Sequence, residues 1–147
     1  MAVRQYIVFR LNGEDFGIEI TRVNEIKKMM EIFKVPDTPA YIEGLINLRG
    51  KVFTVFNLRK RFNLPEKEFD GETKIVIVNA NSTTFGFIVD EVSEILKVED
   101  EDIESAPQIL TSLSSKFVSG VAKTQEKIVL LLDMEKVLTL KPEEIKV

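Results

Sequence analysis

Alternation of apolar and polar residues, the period of a β-strand, dominates the sequence. Residues 6–20 alternate on both sides of Asn12-Gly13, and residues 75–89 alternate on both sides of a polar turn at 81–83. Asn-Gly between two such runs indicates a hairpin, because both residues tolerate the positive φ of a tight turn. The pattern therefore predicts one β-hairpin in each segment.

The same pattern continues downstream. Residues 44–57 predict another hairpin, with its turn at or near Arg49-Gly50, and a similar apolar run ends at Asp133. Asn57 and Asp133 are suitable N-caps, because their side-chain oxygens can accept hydrogen bonds from N–H groups of a first helical turn. Short strands, regular turns and the absence of a long helix predict an all-β fold with a few short helices.

Two segments of the chain are versions of one another. Residues 16–26 and 85–95 match at an offset of 69 positions, and the match of 41–44 with 117–120 has an offset of 76. A unit of about 70 residues that occurs twice is too long and too rare for a solenoid, which needs at least three repeats. The duplication predicts two similar small barrels of about five strands each.

Length limits how these modules can be arranged. The chain has 147 residues, the size of one ordinary domain, and halves of about 70 residues would each be marginally stable alone. The two barrels are therefore expected to share a hydrophobic core within a single domain spanning 1–147. Subdomain one is predicted at about 5–65 and subdomain two at about 72–140.

Composition excludes several classes of function. The absence of cysteine and histidine removes disulfides, thiol nucleophiles and the Ser-His-Asp arrangement. A net charge of −4 disfavours nucleic-acid binding, which normally uses a basic face. The longest apolar run, 128–132, is too short for a membrane span, and the N-terminus has no export signal. A cytoplasmic protein that is not itself a membrane protein is expected.

Carboxylates are the remaining candidates for chemistry. The run 99–102 is entirely acidic, and Asp90-Glu91 lies inside the repeated segment. A carboxylate-dependent or metal-dependent enzyme is the alternative hypothesis that they support, although the run lacks the spacing of a calcium loop. The basic cluster Arg59-Lys60-Arg61 is interpreted as a solvated helix end. We predict no enzymatic activity, no cofactor and no metal site.

Arg49 interrupts the internal symmetry. The corresponding turn of the second copy is a bland polar loop at 123–127, whereas the first copy places a guanidinium beside a turn glycine. A planar five-donor group is suited to binding a carboxylate. Two roles remain open from spacing alone: a salt bridge to a nearby carboxylate such as Glu25, or recognition of a partner.

These motifs together resemble the CheW family of bacterial chemotaxis coupling proteins. The similarity rests on residues 39–52 followed by Asn57-Leu58-Arg59, with support from 16–18, 23–26 and 86–92. The resemblance implies two five-stranded barrels of the Src-homology-3-like type. It also implies a non-catalytic adaptor that connects the cytoplasmic tips of methyl-accepting receptors to the regulatory domain of the histidine kinase CheA, in arrays at the inner face of the membrane.

The resemblance also assigns candidate binding residues. A carboxylate and an arginine, Glu25 and Arg49, match positions that support the receptor-proximal surface, and Gly44 and Gly50 match turn positions. Ile109 matches an apolar position that contacts the kinase. The expected receptor-binding groove between the barrels is lined by Ile7, Ile20, Val23, Ile26 and Val92.

A CheW-like domain of a CheV-type protein is a second alternative. CheV proteins fuse this domain to a phosphate-receiving domain. The chain begins with Met1 and contains no second domain, so we expect an adaptor of the simple kind. The short charged tail after Leu138 departs from relatives with longer tails.

Overall fold

Strands form most of the described part of the chain, which is residues 2–80, 82–105 and 117–138 of a computed structural model. The predicted all-β fold is confirmed. The strands are β1 (Val3–Leu11), β2 (Glu14–Glu19), β3 (Val23–Lys28), β4 (Ile42–Leu48), β5 (Lys51–Asn57), β6 (Lys74–Ala80), β7 (Thr83–Val89), β8 (Glu91–Glu99), β9 (Ile103–Ser105), β10 (Val118–Lys123) and β11 (Ile128–Leu132). The α-helices are α1 (Leu58–Arg61) and α2 (Met134–Leu138), and two 3₁₀ turns span Ile20–Arg22 and Asp100–Asp102.

The strands form two sheets. One has five strands in the order β3-β6-β7-β5-β4, and the other has six in the order β8-β1-β2-β11-β10-β9. We call them the five-stranded and the six-stranded sheet. The second repeat thus supplies one strand more than the five predicted, and the strands described include no pairing that closes either sheet into a ring.

The two repeats exchange hairpins. The β1–β2 hairpin of the first repeat joins β8–β11 of the second, and the β6–β7 hairpin of the second joins β3–β5 of the first. Each exchanged hairpin makes one antiparallel and one parallel pairing with the other repeat. β1 pairs with β8 and β2 with β11, and β6 pairs with β3 and β7 with β5. The predicted subdomains at about 5–65 and 72–140 therefore contribute strands to both sheets, and the boundary between them stays a prediction.

Local backbone conformation explains the hairpin turns. Asn12 and Gly13 have φ of 53° and 81°, and Arg49 and Gly50 repeat the same pair of values. Positive φ at both central residues is the conformation whose twist matches that of the flanking strands. The hairpins predicted around Asn12-Gly13 and Arg49-Gly50 are confirmed, because β1 pairs with β2 and β4 with β5.

Both predicted N-caps are confirmed. The Asn57 side-chain oxygen accepts a hydrogen bond from the Lys60 N–H at 3.3 Å, at the start of α1. The Asp133 carboxylate accepts from the N–H groups of Glu135 and Lys136 at 3.1 and 3.2 Å, at the start of α2. Each cap satisfies N–H groups that a first helical turn leaves without partners.

An aromatic-rich core joins the sheets. It combines Phe9 and Phe16 of the six-stranded sheet with Phe87 of the five-stranded sheet, and all three are fully buried. Phe62, directly after α1, contacts one ring from each repeat, with ring centroids 5.7 Å from Phe16 and 5.0 Å from Phe117. Burial of apolar area from both repeats in one core explains how two halves of marginal size are stable together.

Candidate functional site

The register of the strands fixes where the expected groove residues point. Ile7 lies two residues before the core residue Phe9 on β1, so both side chains are on the same face of the six-stranded sheet. Val92 on β8 is the cross-strand partner of Phe9 and packs against the shared core. Ile7 and Val92 therefore lie on the side of this sheet that faces the other sheet.

The remaining residues of the expected groove lie on the five-stranded sheet and in the turn that connects the two sheets. Val23 and Ile26 on β3 pair with Val78 and Val76, which belong to the shared core. Ile20 lies in the 3₁₀ turn that carries the chain from β2 in one sheet to β3 in the other. The structure thus brings all five residues to the junction of the two sheets, and we call this surface the junction face.

Exposure differs across the junction face. Ile7 is 5% exposed, whereas Ile26 is 39% exposed. Sequence reasoning missed the apolar residue Ile95 on this face: it lies on β8, is the cross-strand partner of Ile7 and is 55% exposed. Because β8 and β3 are each at an edge of their sheet, both strands are accessible to a partner. That these residues line a receptor groove stays a prediction.

Two matching β-bulges shape the junction face. Asn24 has no residue opposite it on β6, and Ser93, its equivalent in the second repeat, has none on β1. The Asn79 amide donates to the Asn24 side-chain oxygen at 2.7 Å, and the Ser93 hydroxyl donates to the Val8 carbonyl at 3.2 Å. A bulge re-aims the neighbouring side chains. The polar residue after valine in each copy was the available sequence signal.

Glu25 and Arg49 form an ion pair. The guanidinium Nη2 lies 2.5 Å from Glu25 Oε2, and Lys27 Nζ lies 3.4 Å from Glu25 Oε1. The hydrogen bond from Arg49 holds the pKa of Glu25 below its usual value. Glu25 is about a quarter exposed while Arg49 is mostly exposed, so the guanidinium remains accessible to a partner.

The turn residues occupy two different settings. Gly50 lies in the β4–β5 turn, where its N–H donates to the Asn47 side-chain oxygen at 3.1 Å. Gly44, expected at a turn, lies instead inside β4 at a bulge, with φ of 150°. A Cβ there would be 2.3 Å from the Phe33 carbonyl oxygen, so the close approach of residues 29–35 to the edge of β4 requires glycine.

The basic cluster of α1 is not a solvated helix end, and that interpretation is wrong. Arg59 and Asp90 form a bidentate pair, Nε to Oδ1 at 2.7 Å and Nη2 to Oδ2 at 2.6 Å, with both side chains less than 15% exposed. The Asn12 N–H also donates to Asp90 Oδ2 at 2.9 Å. Burial raises the pKa of Asp90, but hydrogen bonds from Arg59 and Asn12 outweigh it, so the pKa lies below its usual value.

Arg61 is also buried, at 8% exposure. Its guanidinium carbon lies 4.3 Å from the centroid of the Tyr41 ring and 4.9 Å from that of Phe117. Its Nε donates to the Val137 carbonyl in α2 at 2.9 Å. Sequence spacing could not reveal this role, because the partners come from both repeats.

Several carboxylates of the acidic segments are engaged by cations or by one another. Asp90 is occupied by Arg59, and Asp100 lies 3.0 Å from Arg4 Nε on the surface. Repulsion from Glu101 raises the pKa of Glu99. Within residues 2–80, 82–105 and 117–138, no three acidic side chains are grouped so as to hold a metal ion.

Two further observations bear on the expected partners. Ile109, the predicted kinase contact, lies outside the described residues. The helices of the described segments are all too short or too polar to cross a membrane.

Comparisons of sequence and of structure with known proteins find the same family. Residues 5–141 match the CheW-like domain. The chain is 38% identical to the chemotaxis protein CheW of Bacillus subtilis, over 90% of this chain and 85% of that protein, and 33% identical to CheW of Treponema pallidum, over 93% and 83%. The crystal structure of the scaffolding protein TtCheW from Thermoanaerobacter tengcongensis superimposes with a TM-score of 0.91 at 34% identity, covering 98% of both chains.

Proposed function

Because the chain belongs to the CheW-like family, we propose that it is a chemotaxis adaptor that couples methyl-accepting receptors to the histidine kinase CheA. The observation that carries this proposal is similarity over nearly the whole chain to proteins named CheW, including a scaffolding protein with the same fold. The adaptor acts by geometry, holding receptor and kinase together, and it needs no catalytic residue or cofactor.

The junction face is the proposed receptor site. It presents apolar side chains from two edge strands, β3 and β8, and the partly exposed Ile26 and Ile95 extend its apolar surface towards solvent. An amphipathic receptor helix that places its apolar face between two such walls is a common mode of recognition. The family resemblance implies a helical receptor segment, so this surface suits the proposed partner.

Arg49 and Glu25 are proposed to support the receptor-proximal surface beside this site. The pair restrains the β4–β5 hairpin against β3, the strand that carries Val23 and Ile26. The exposed guanidinium can also contact an acidic or carbonyl group of a partner. Ile109 is proposed to contact the regulatory domain of CheA. Binding to the receptor and binding to CheA would together recruit the chain to receptor arrays at the inner face of the membrane.

A binding experiment tests the adaptor. We expect the chain to be retained by both a CheA regulatory-domain fragment and a receptor-tip fragment in a pull-down. Loss of retention by both partners would refute the proposal. A thermal-shift screen with divalent cations separates the enzyme alternative, because metal binding would raise the melting temperature.

Charge reversal tests the role of Arg49. The Arg49→Glu variant should fold but lose receptor-dependent control of kinase activity, because two carboxylates would then face each other between β3 and the β4–β5 turn. Lys51→Glu is the matched control, an exposed charge reversal two residues away in the same hairpin. If Arg49→Glu couples as well as Lys51→Glu, Arg49 has only a structural role. Coupling restored by adding Glu25→Arg would identify the pair itself as the requirement.

A further inference from the structure

We propose that the Arg59–Asp90 ion pair is a brace between the two sheets that sets the width of the junction face, and that both are positioning residues for receptor binding. This inference rests on the proposed function for its link to the receptor. The brace itself is argued from contacts within the chain and is tested without any partner.

The brace connects elements of different sheets. Arg59 belongs to α1, which continues directly from β5 of the five-stranded sheet. Asp90 is the residue between β7 in that sheet and β8 in the other, and its Oδ2 also accepts the hydrogen bond from Asn12 in the β1–β2 turn of the six-stranded sheet. The Asp90 carboxylate thus connects α1, which follows the five-stranded sheet, with the β1–β2 hairpin of the six-stranded sheet.

Further contacts make the carboxylate position rigid. The Asp90 N–H donates to the Arg10 carbonyl at 3.0 Å, so its backbone is fixed to β1 as well. Arg59 Nη1 donates to the Pro65 carbonyl at 2.6 Å, which holds the guanidinium from its other side. A bidentate charge pair with both partners mostly buried has one defined geometry, unlike a flexible surface pair.

The brace lies next to the residues of the junction face. Val92 follows Asp90 by two residues, and the intervening Glu91 makes a separate ion pair with Arg10 at 3.0 Å. Arg10 and Glu91 are on β1 and β8, so their pair remains within one sheet and its partners are more exposed. The neighbouring residue therefore offers a control in which a carboxylate is neutralised without loosening the connection between the sheets.

The width of the junction face can be measured directly. The native chain contains no cysteine, so Lys28→Cys and Lys97→Cys provide two unique sites for spin labels. Lys28 is on β3 and Lys97 on β8, both are exposed, and the register places each on the side of its sheet that carries the junction face. The distribution of distances between the labels, measured by pulsed electron paramagnetic resonance, reports the separation of β3 and β8.

Three variants are compared in the labelled background. Asp90→Asn removes the negative charge of the pair, and Arg59→Lys removes the guanidinium that makes two hydrogen bonds to Asp90. We expect either change to broaden or shift the distance distribution. Glu91→Gln should leave it unchanged. In unlabelled protein the same two brace variants should weaken binding of a receptor-tip fragment by roughly two- to thirtyfold, the range for residues that act on a site without touching its ligand. Binding of the CheA regulatory domain should change less.

The outcomes separate the two proposals. Distance distributions of Asp90→Asn and Arg59→Lys that superimpose on the native one, or an equal change in Glu91→Gln, would overturn the brace. If a single brace variant does not fold, the double variant Arg59→Met with Asp90→Leu is measured instead, because it leaves no unpaired charge. A label-to-label distance distribution that matches the native one in this double variant would overturn the brace, and a broadened or shifted one would support it. Altered distances with no receptor binding even by the native chain would refute the adaptor proposal and leave the brace supported.

Discussion

Substitution of Gly44 by alanine should destabilise the protein far more than its size suggests. At this position in β4, φ is 150°, a value that residues with a side chain rarely adopt, at a cost of roughly 1–3 kcal/mol. The new methyl group would also lie 2.3 Å from the Phe33 carbonyl oxygen and 2.9 Å from the Phe33 carbonyl carbon. Backbone atoms cannot rotate away as a flexible side chain can, so the segment around Phe33 must move.

That movement breaks a defined set of contacts. Phe33 and Leu45 exchange two backbone hydrogen bonds of 2.8 Å each, and each bond contributes about 0.5–1.5 kcal/mol net. Together with the backbone term, Gly44→Ala should reduce the free energy of unfolding by about 2–6 kcal/mol. A domain of ordinary stability has only about 5–15 kcal/mol in total. The variant should therefore be severely destabilised.

Two other glycines provide matched controls. Gly13 has φ of 81° and no atom within 4 Å of the place that a methyl group would occupy, so Gly13→Ala should cost only the left-handed backbone term of about 1–2 kcal/mol. Gly71 has open space and no left-handed φ, so Gly71→Ala should stay within about 1 kcal/mol of the native chain. Guanidinium denaturation followed by far-ultraviolet circular dichroism measures all three.

The ordering of the midpoints is the decisive result. Gly44→Ala should unfold at the lowest denaturant concentration, Gly13→Ala at an intermediate one and Gly71→Ala at about the native one, with similar slopes. If Gly44→Ala unfolds together with Gly71→Ala, the approach of residues 29–35 to β4 contributes nothing to stability. The reasoning from the close contact would then be refuted.

Two further predictions concern buried charges. Because Asp90 has a lowered pKa in the folded protein, its pair contributes stability above the ordinary pKa of 3.8, and this stability should be lost as pH falls through the lower folded value. Asp90→Asn should therefore show a shallower fall of unfolding free energy between about pH 5 and pH 2, and an identical pH profile would contradict this. Arg61→Met should cost about 2–4 kcal/mol, because it removes charge-assisted hydrogen bonds and ring contacts. Lys60→Met, at a 30% exposed position in the same helix, should cost less than about 1 kcal/mol, and equal losses would argue against the buried role of Arg61.

Much of the local structure was predictable. The hairpin turns at Asn12-Gly13 and Arg49-Gly50, the caps at Asn57 and Asp133 and the all-β class all follow from neighbours along the chain. Alternation and turn chemistry act over a few residues, so the sequence contains the whole cause. The pairing of Arg49 with Glu25 was one of two options, and the structure contains it.

The candidate site was only partly predictable. The residues of the junction face follow from the family resemblance, but the apolar pattern could not distinguish an exposed residue such as Ile26 from a buried one such as Ile7. The exposed Ile95 was missed because it alternates as any strand residue does. The basic cluster at 59–61 was misinterpreted for a related reason: charges adjacent in sequence indicate solvent exposure unless their partners are known.

The sequence by itself determined two matched sets of strands, their turns and the single break in their symmetry at Arg49. Only the tertiary structure decided that the repeats exchange hairpins, so that β1–β2 completes the sheet of the second repeat and β6–β7 that of the first. It also decided that Arg61 is buried, and Arg59 mostly buried, against partners from the second repeat. The physical reason is range: a turn depends on adjacent residues, whereas the choice of strand partner depends on the apolar area that the whole chain can bury.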